Sequence, residues 1–274
     1  MYSKSYKGSN PKIFWQEFWR HELEEALKHA PVVIIPVGSI EQHGPHCPMD
    51  VDISIPYHMA AEVATRVKEY PIIVAPPVWT GFTHFNMGHI GTITVTLETY
   101  TNLLCDICRS IKANGFKRII LLNGHGGNVA PTQAISVKLA QADVWALHIT
   151  YFHMVEEELK NWGESDHNIG HGGEWETSLL LYLRGHMVAL EKRAPNGLSA
   201  WFLSPELEKF AQWPERRREA DEGVMGDPFK ATANKGERLF KAAVEKLIRV
   251  CHEIHEKPVR GYFERGSHSS LGPI

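Results

Sequence analysis

The sequence predicts an α/β fold in which a mostly parallel sheet lies between layers of helices. Short apolar runs rich in Val and Ile recur along the chain, and such runs are typical of strands buried on both faces. Segments in which apolar residues follow helical spacing alternate with these runs, as in α/β proteins. No long linker interrupts the alternation, so we expect one domain that spans residues 1–274.

The expected strands are short and end at Gly, Pro or polar residues. They are placed at residues 31–38, 71–78, 89–99, 118–122 and 143–152. The run at 89–99 differs from the others, because Ile93, Val95 and Leu97 alternate with threonines as in a half-buried strand.

The expected helices lie between and after these strands. They are placed at residues 53–69, 98–114, 129–141, 174–184 and 231–256. In the second of them Leu103, Leu104 and Ile111 share one face, and Gly115 is a typical helix stop. Residues 190–228, which are rich in Pro, Trp and Arg, are expected to be irregular.

Composition argues against several classes of protein. The formal net charge is −3, whereas nucleic-acid binding requires a basic surface, so we expect no nucleic-acid partner. No run approaches the roughly 20 apolar residues of a membrane span, and the N-terminus lacks the apolar core of a signal peptide. Cys47, Cys105, Cys108 and Cys251 are best interpreted as reduced thiols, which favours a cytoplasmic location.

Side chains capable of chemistry are concentrated in three segments, GSIEQHGPHCPMDVD (38–52), NGHGGN (123–128) and HGGEWETS (171–178). Each lies at a loop or a strand end, and ligands of parallel sheets bind beyond the carboxyl ends of strands. The candidates are Glu41, His43, Asp52, His125, His171, Glu174 and Glu176. Mixed nitrogen and oxygen donors suit Zn²⁺ or Mn²⁺, and this number of candidates is enough for two ions that share a carboxylate.

Each segment alone also has an ordinary explanation. A lone His at a strand end usually just forms a hydrogen bond, and NGHGGN alone could be a tight turn or an anion-binding loop. The three segments together favour a metal site. A serine nucleophile and a dinucleotide site are disfavoured, because the chain has neither G-x-S-x-G nor G-x-G-x-x-G.

Five segments, in this order, resemble the creatininase (creatinine amidohydrolase) family: PVGSIEQHGPHCPMDVD, GHIGT, LNGHGGN, HGGEWETS and GVMGDPFKATANKG. The resemblance implies a three-layer α/β/α fold, a two-metal hydrolase and a homo-oligomer, often a hexamer. It also implies that Glu41 and His125 hold one ion, that His43 holds the other, and that Asp52 bridges them. His171 would then be the catalytic acid or base, and Glu176 a supporting catalytic position.

Two positions depart from the family pattern. Creatininase has a metal-binding glutamate two residues after the NGH histidine, where this chain has Gly127. We expect Glu174 to compensate as a ligand of the second ion, with Glu176 as the alternative. Creatininase also has a tryptophan four residues before the HGG histidine, where this chain has His167, so creatinine is not the expected substrate.

The resulting functional expectation is a hydrolase in which metal-activated hydroxide attacks a carbonyl of a small cyclic amide or related amide and a C–N bond breaks. One alternative is ring-opening C–C hydrolysis of a cyclic diketone derived from a sugar or cyclitol. A second alternative is a non-catalytic metal-binding protein. His84, His89, His167 and Trp175 are the expected residues of the substrate pocket.

Overall fold

The computed structural model describes residues 12–165, 169–194 and 222–259 of the 274-residue chain. Its centre is a sheet of four strands, all parallel, in the order β2-β1-β3-β4. The strands are β1 (Val32–Val37), β2 (Ile72–Val74), β3 (Arg118–Asn123) and β4 (Ala146–Thr150). Val33 of β1 lies opposite both Ile73 and Ile119, so β1 is paired on each side.

Helices cover both faces of the sheet. They are α1 (Arg20–Leu27), α2 (Val51–Arg66), α3 (Leu97–Ala113), α4 (Val129–Gln141), α5 (Tyr151–Met154), α6 (Glu156–Trp162), α7 (Glu174–Arg184) and α8 (Ala233–Glu256). Alternate residues of β1 supply two cores: Val32 and Ile34 pack with α2 and α5–α8, whereas Val33 and Ile35 pack with α1, α3 and α4. The predicted three-layer α/β/α fold is therefore confirmed.

The predicted strand at 89–99 is wrong. Here Ile93 and Thr94 form only isolated bridges, to Ile40 and Gly81 respectively. Helix α3 then begins at Leu97, inside the predicted strand, because the Thr96 side chain accepts a hydrogen bond from the Thr99 amide and caps the helix. Helices α1, α5 and α6 were not predicted from the sequence.

Most of the segment 190–228, which was expected to be irregular, lies outside the described residues. Across residues 12–165, 169–194 and 222–259, no helix is both long enough and apolar enough to cross a bilayer.

Candidate active site

The candidate site lies where the chain leaves the carboxyl ends of β1 and β3. The loops after these strands and the starts of α2 and α7 bring together six buried side chains: Glu41, His43, Asp52, His125, His171 and Glu176. Two glycines allow this approach. A Cβ atom on Gly38 would lie 2.4 Å from the main-chain oxygen of Asp52, and one on Gly124 would lie 2.0 Å from it. Glycine at both positions therefore lets the first turn of α2 pack against both strand ends.

Asp52 contacts two histidines through different oxygens. Its Oδ1 lies 3.1 Å from His43 Nε2, and its Oδ2 lies 2.8 Å from His125 Nδ1. The other nitrogen of each ring faces a main-chain carbonyl, at 3.1 Å from Glu41 O for His43 and at 3.2 Å from Phe82 O for His125. A carbonyl only accepts, so each ring carries a hydrogen on the nitrogen that faces it. The nitrogen that faces Asp52 can then carry a second hydrogen, which makes the ring a cation, or it can bind a metal ion together with the carboxylate.

Two sets of three donors share Asp52. The first consists of Glu41, Asp52 and His125, and the second of His43, Asp52 and Glu176. Within each set the potential ligand atoms lie within 4.8 Å of one another. Glu41 Oε1 is 3.4 Å from His125 Nδ1, and Glu176 Oε2 is 3.6 Å from His43 Nε2. Each set could therefore hold a metal ion, and Asp52 is available to both.

His171 lies beside the same cluster. Its Nδ1 is 3.4 Å from Glu41 Oε1, and its ring stacks on that of His43 with 4.0 Å between the ring centroids. The side chain is buried, and it belongs to the loop that immediately precedes α7. A histidine in this position can exchange protons with a molecule bound at the cluster.

The ionisation of the cluster reflects three carboxylates buried together. Burial disfavours charged imidazoles, but Asp52, Glu176 and Glu41 outweigh it and raise the pKa of His43 to about 9. Burial likewise opposes ionisation of Asp52, yet His43 and His125 hold its pKa below the usual range. Burial raises the pKa of Glu176 to about 7, with His43 acting in the opposite direction. The cluster therefore favours cations strongly.

Several supporting contacts were not predicted from the sequence. The Thr83 hydroxyl donates a short hydrogen bond to Glu41 Oε2, and the Asn86 side-chain amide donates to Thr83 Oγ1 at 3.1 Å. The Gly172 amide donates to Glu176 Oε2 at 2.6 Å. Thr83 is 42 positions from Glu41, so no local motif could have revealed that pair. These contacts orient the carboxylates that face the histidines.

Glu174, the expected ligand of a second ion, does not join the cluster. Its carboxylate accepts hydrogen bonds from the amides of Glu164 and Ser165, at 3.0 and 2.8 Å, and pairs with Lys235 at 2.5 Å. The glutamate beside His43 is Glu176, the alternative candidate. This corrects the expected position of the second carboxylate.

Gly127 could not carry a side chain in this fold. A Cβ atom there would lie 2.4 Å from Phe82 O and 2.5 Å from His125 Nε2. The main-chain oxygen of Phe82 and the ring of His125 therefore fill the space that the Cβ atom of a glutamate would need at this position. The shift of the second carboxylate to α7 is consistent with this packing.

The expected pocket residues are dispersed. His84, which is exposed, and His89, which is half-buried, lie on the loop after β2 that reaches the cluster through Thr83. Trp175, in contrast, is 1% exposed and belongs to the hydrophobic core. The expectation that it lines the substrate pocket is therefore wrong. His167 lies outside the described residues.

A family model for creatininase, described as creatinine amidohydrolase, matches residues 16–251. The chain belongs to the creatininase family. It is therefore a metal-dependent hydrolase of the amidohydrolase type, as the resemblance implied.

Two curated relatives within the creatininase family have different activities. The mycofactocin precursor peptide peptidase of Mycobacterium tuberculosis is 33% identical over 80% of this chain and 84% of its own length. The 3-dehydro-scyllo-inosose hydrolase of Thermotoga maritima is 26% identical over 89% of this chain and 84% of its own length. Family membership thus leaves open which bond is broken.

Solved creatininases share the fold. A manganese form is 25% identical, with a TM-score of 0.74 over 90% of this chain and 100% of the creatininase chain. A mutant creatininase of the Zn–Zn type, 24% identical, has a TM-score of 0.73 over 90% of this chain and 100% of its own. Structural neighbours of the chain are thus zinc and manganese proteins.

Proposed function

We propose that this protein uses two divalent ions, Zn²⁺ and/or Mn²⁺, to hydrolyse the C–N bond of a small cyclic amide or a related amide. The observation that carries the proposal is the position of Asp52, whose two oxygens face two different histidines. A carboxylate in this position suits a bridging ligand between two ions.

The residues present fit such ions. Glu41 Oε1 and Asp52 Oδ2 are buried and accept no hydrogen bond of standard geometry among the described residues, although His125 Nδ1 lies 3.4 Å from the first and 2.8 Å from the second. Leaving buried carboxylate oxygens without a partner is costly, and a bound cation removes that cost. Glu41, Asp52 and His125 would hold one ion, and His43, Asp52 and Glu176 the other. This mixture of imidazole and carboxylate donors is compatible with both zinc and manganese.

Ions bound at these residues would polarise a substrate carbonyl and lower the pKa of water toward neutrality. Asp52, Glu41 and Glu176 would hold the ions, and Thr83 and Gly172 orient two of those carboxylates. His171 Nδ1, which faces Glu41, would accept a proton released from water and return it to the departing nitrogen. Such proton transfer typically contributes a factor of about 10²–10⁴ to the rate.

An amide substrate agrees with the family model, creatinine amidohydrolase, and with the peptidase among the relatives, since both names describe C–N cleavage. Creatinine itself is disfavoured, because Gly127 and His167 occupy two positions at which creatininase has different residues. We therefore place the substrate among other lactams, formamides and short peptides.

A substrate panel tests this proposal. Zinc-loaded and manganese-loaded protein is incubated with lactams, formamides, short peptides and cyclic diketones, and the release of ammonia or amine is measured. We expect turnover of at least one amide, loss of turnover on chelation, and recovery when metal is restored. If no compound in the amide classes releases nitrogen while a diketone is opened, the proposed bond specificity is wrong.

The second candidate function is hydrolytic C–C cleavage that opens a cyclic diketone derived from a sugar or cyclitol. It is favoured by the inosose hydrolase relative, which matches 89% of this chain. The same panel distinguishes the two functions, because C–C cleavage produces a new carboxylate and no nitrogen product.

We further propose that the enzyme acts as a homo-oligomer, often a hexamer in related proteins, in the cytoplasm. The family resemblance supports the oligomer, and the four unpaired cysteines suit a reducing compartment. Sedimentation analysis of the purified chain tests the oligomeric state, and a monomer at micromolar concentration contradicts it.

A further inference from the structure

The loop after β2 brings an apolar ring to the edge of the cluster. Phe85 is half-buried, and its ring stacks on that of His125 with 5.9 Å between the ring centroids and an interplanar angle of 16°. The mechanism described above gives this ring no role. We propose that Phe85 is a specificity-determining residue that binds an apolar acyl group of the substrate, an inference that rests on the proposed function.

The packing of the fold does not account for Phe85. Among the described residues, neither of the two hydrophobic cores includes Phe85 or its neighbour Phe82. The ring of Phe85 instead lies alongside His125, and His84 meets it edge-on with 5.7 Å between the centroids. The part of the ring that stays accessible beside the cluster can cover an apolar part of a ligand, which is favourable in proportion to the area removed from water.

The ring takes this place because residue 127 has no side chain. A Cβ atom on Gly127 would lie 3.1 Å from Cε1 of Phe85, which is a tight contact. The resemblance to creatininase places a metal-binding glutamate at this position. This chain therefore has the edge of an aromatic ring over bare main chain where a carboxylate would otherwise begin. The wall beside His125 is apolar instead of acidic.

The loop that carries Phe85 has no charged residue to bind an ionised group. Residues 81–96, GFTHFNMGHIGTITVT, contain no Asp, Glu, Lys or Arg. An ionised substituent placed against this wall would lose hydration without gaining an ion pair. The wall thus favours an uncharged, apolar substituent of the substrate.

The two stacked pairs of rings give the direction of the substrate. His171, which would return a proton to the departing nitrogen, stacks on His43 with 4.0 Å between the centroids. Phe85 stacks on His125 instead. Asp52 lies between the two pairs, because its two oxygens face His43 and His125 separately. The departing nitrogen is thereby assigned to the His43 side and the acyl group to the His125 side, so the substrate class is an amide with an apolar acyl group.

Hydroxamates, which chelate zinc, test the wall without turnover. Binding of acetohydroxamate and phenylacetohydroxamate, which differ only by a phenyl group, to zinc-loaded protein is measured by calorimetry. We expect the wild type to bind the phenyl compound at least about tenfold more tightly, the lower end of what a small apolar group gains in a hydrophobic pocket. Phe85→Ala should reduce this preference to less than about threefold, whereas Phe85→Leu should keep most of it.

Ile90→Ala is the matched control, because Ile90 is an apolar residue of the same loop that is fully exposed. It should leave the preference unchanged. Zinc content is measured for every variant, and Phe85→Gln, which is polar but of similar length, replaces Phe85→Ala if the latter does not fold. A wild-type preference below about threefold overturns the proposal. An undiminished preference in Phe85→Ala, an equal loss in Ile90→Ala, or loss of zinc in the Phe85 variants does so as well.

Two isomeric dipeptides test the direction. Phenylalanylglycine has its apolar side chain on the acyl side of the peptide bond, whereas glycylphenylalanine has it on the amine side. We expect kcat/KM to favour phenylalanylglycine by at least about tenfold, and Phe85→Ala to remove the difference. Equal rates, the opposite order, or hydrolysis of neither dipeptide by a protein that hydrolyses other amides overturns the assigned direction. If no amide is hydrolysed, the proposed function fails, while the hydroxamate preference still decides whether Phe85 binds an apolar group.

Discussion

Asp52 is the residue on which both donor sets depend, because its two oxygens contact His43 and His125 separately. We predict that Asp52→Asn lowers the metal content from the proposed two ions to fewer than one per chain and lowers kcat/KM by at least about 100-fold. Elemental analysis and steady-state kinetics measure the two effects.

Asp50, which lies two residues before Asp52 at the N-cap of α2, provides a matched control. Its carboxylate pairs with Arg184 at 2.6 Å and belongs to neither donor set. Asp50→Asn should therefore retain both ions and close to full activity. Equal loss of metal in the two variants would mean that the ions are not bound through Asp52.

Thr83 acts on the cluster through Glu41, since its hydroxyl donates to Glu41 Oε2 and leaves Oε1 for a cation. Thr83→Val preserves the shape of the side chain but leaves that carboxylate oxygen without its donor. We predict that affinity for the ion at the Glu41 set falls by about 10–100-fold, the usual effect of losing such a partner. Competition with a chelator of known affinity measures it.

Thr83→Ser is the control, because serine keeps the hydroxyl and loses only a methyl group. It should bind metal nearly as well as the wild type. If Thr83→Ser weakens metal binding and Thr83→Val does not, the packing of the methyl group matters and the hydrogen bond does not.

At the scale of an element, the first turn of α7 separates two glutamates that are two positions apart. Successive helical residues are rotated by about 100°, so Glu174 and Glu176 point to nearly opposite sides of the helix. Glu176 faces His43, whereas Glu174 holds the main chain of Glu164 and Ser165. Replacing each glutamate with glutamine should therefore have a different effect on metal content and on stability.

We predict that Glu176→Gln loses about one of the two ions and most activity, while its melting temperature with metal removed stays close to that of the wild type. Glu174→Gln should keep both ions but melt at a lower temperature, because Lys235 loses a buried partner. Elemental analysis and calorimetry separate these outcomes. Loss of an ion in Glu174→Gln alone would restore the original expectation for that residue.

The same helix shows where inference from the sequence reached its limit. The three-residue spacing of His171 and Glu174 is compatible with one helical face, but α7 begins at Glu174, so His171 lies before the helix and the spacing does not bring the two side chains together. The strand ends after β1 and β3 were predictable from their β-branched runs, and with them the places of Glu41, His43 and His125. The contacts of Thr83 with Glu41 and of Gly223 with Gln42 were not predictable, because 42 and 181 positions separate the two residues of each pair.

At the scale of the whole molecule, the four cysteines are buried or half-buried and unpaired. Burial raises the pKa of Cys47, Cys108 and Cys251 to about 12, and it also raises the pKa of Cys105. At pH 8 a thiol with a pKa near 12 has about a thousandfold less thiolate than an ordinary one. We predict that all four react slowly with a thiol reagent in the folded protein and quickly after denaturation. One fast-reacting thiol in the native protein would contradict this prediction.

Bound ions would also stabilise the molecule as a whole, because their ligands come from segments far apart in the chain, namely 41–52, 125 and 176. An ion that binds only the folded state at 100 times its Kd adds about 2.7 kcal/mol to the free energy of unfolding. For a chain of this size each kcal/mol raises Tm by about 2–4 °C. Two such ions add about twice as much, so we predict that chelation of both lowers Tm by about 10–20 °C and that added zinc or manganese restores it. Asp52→Asn should show no more than a small fraction of this shift, and an unchanged wild-type Tm on verified removal of metal would show that the ions do not link these segments.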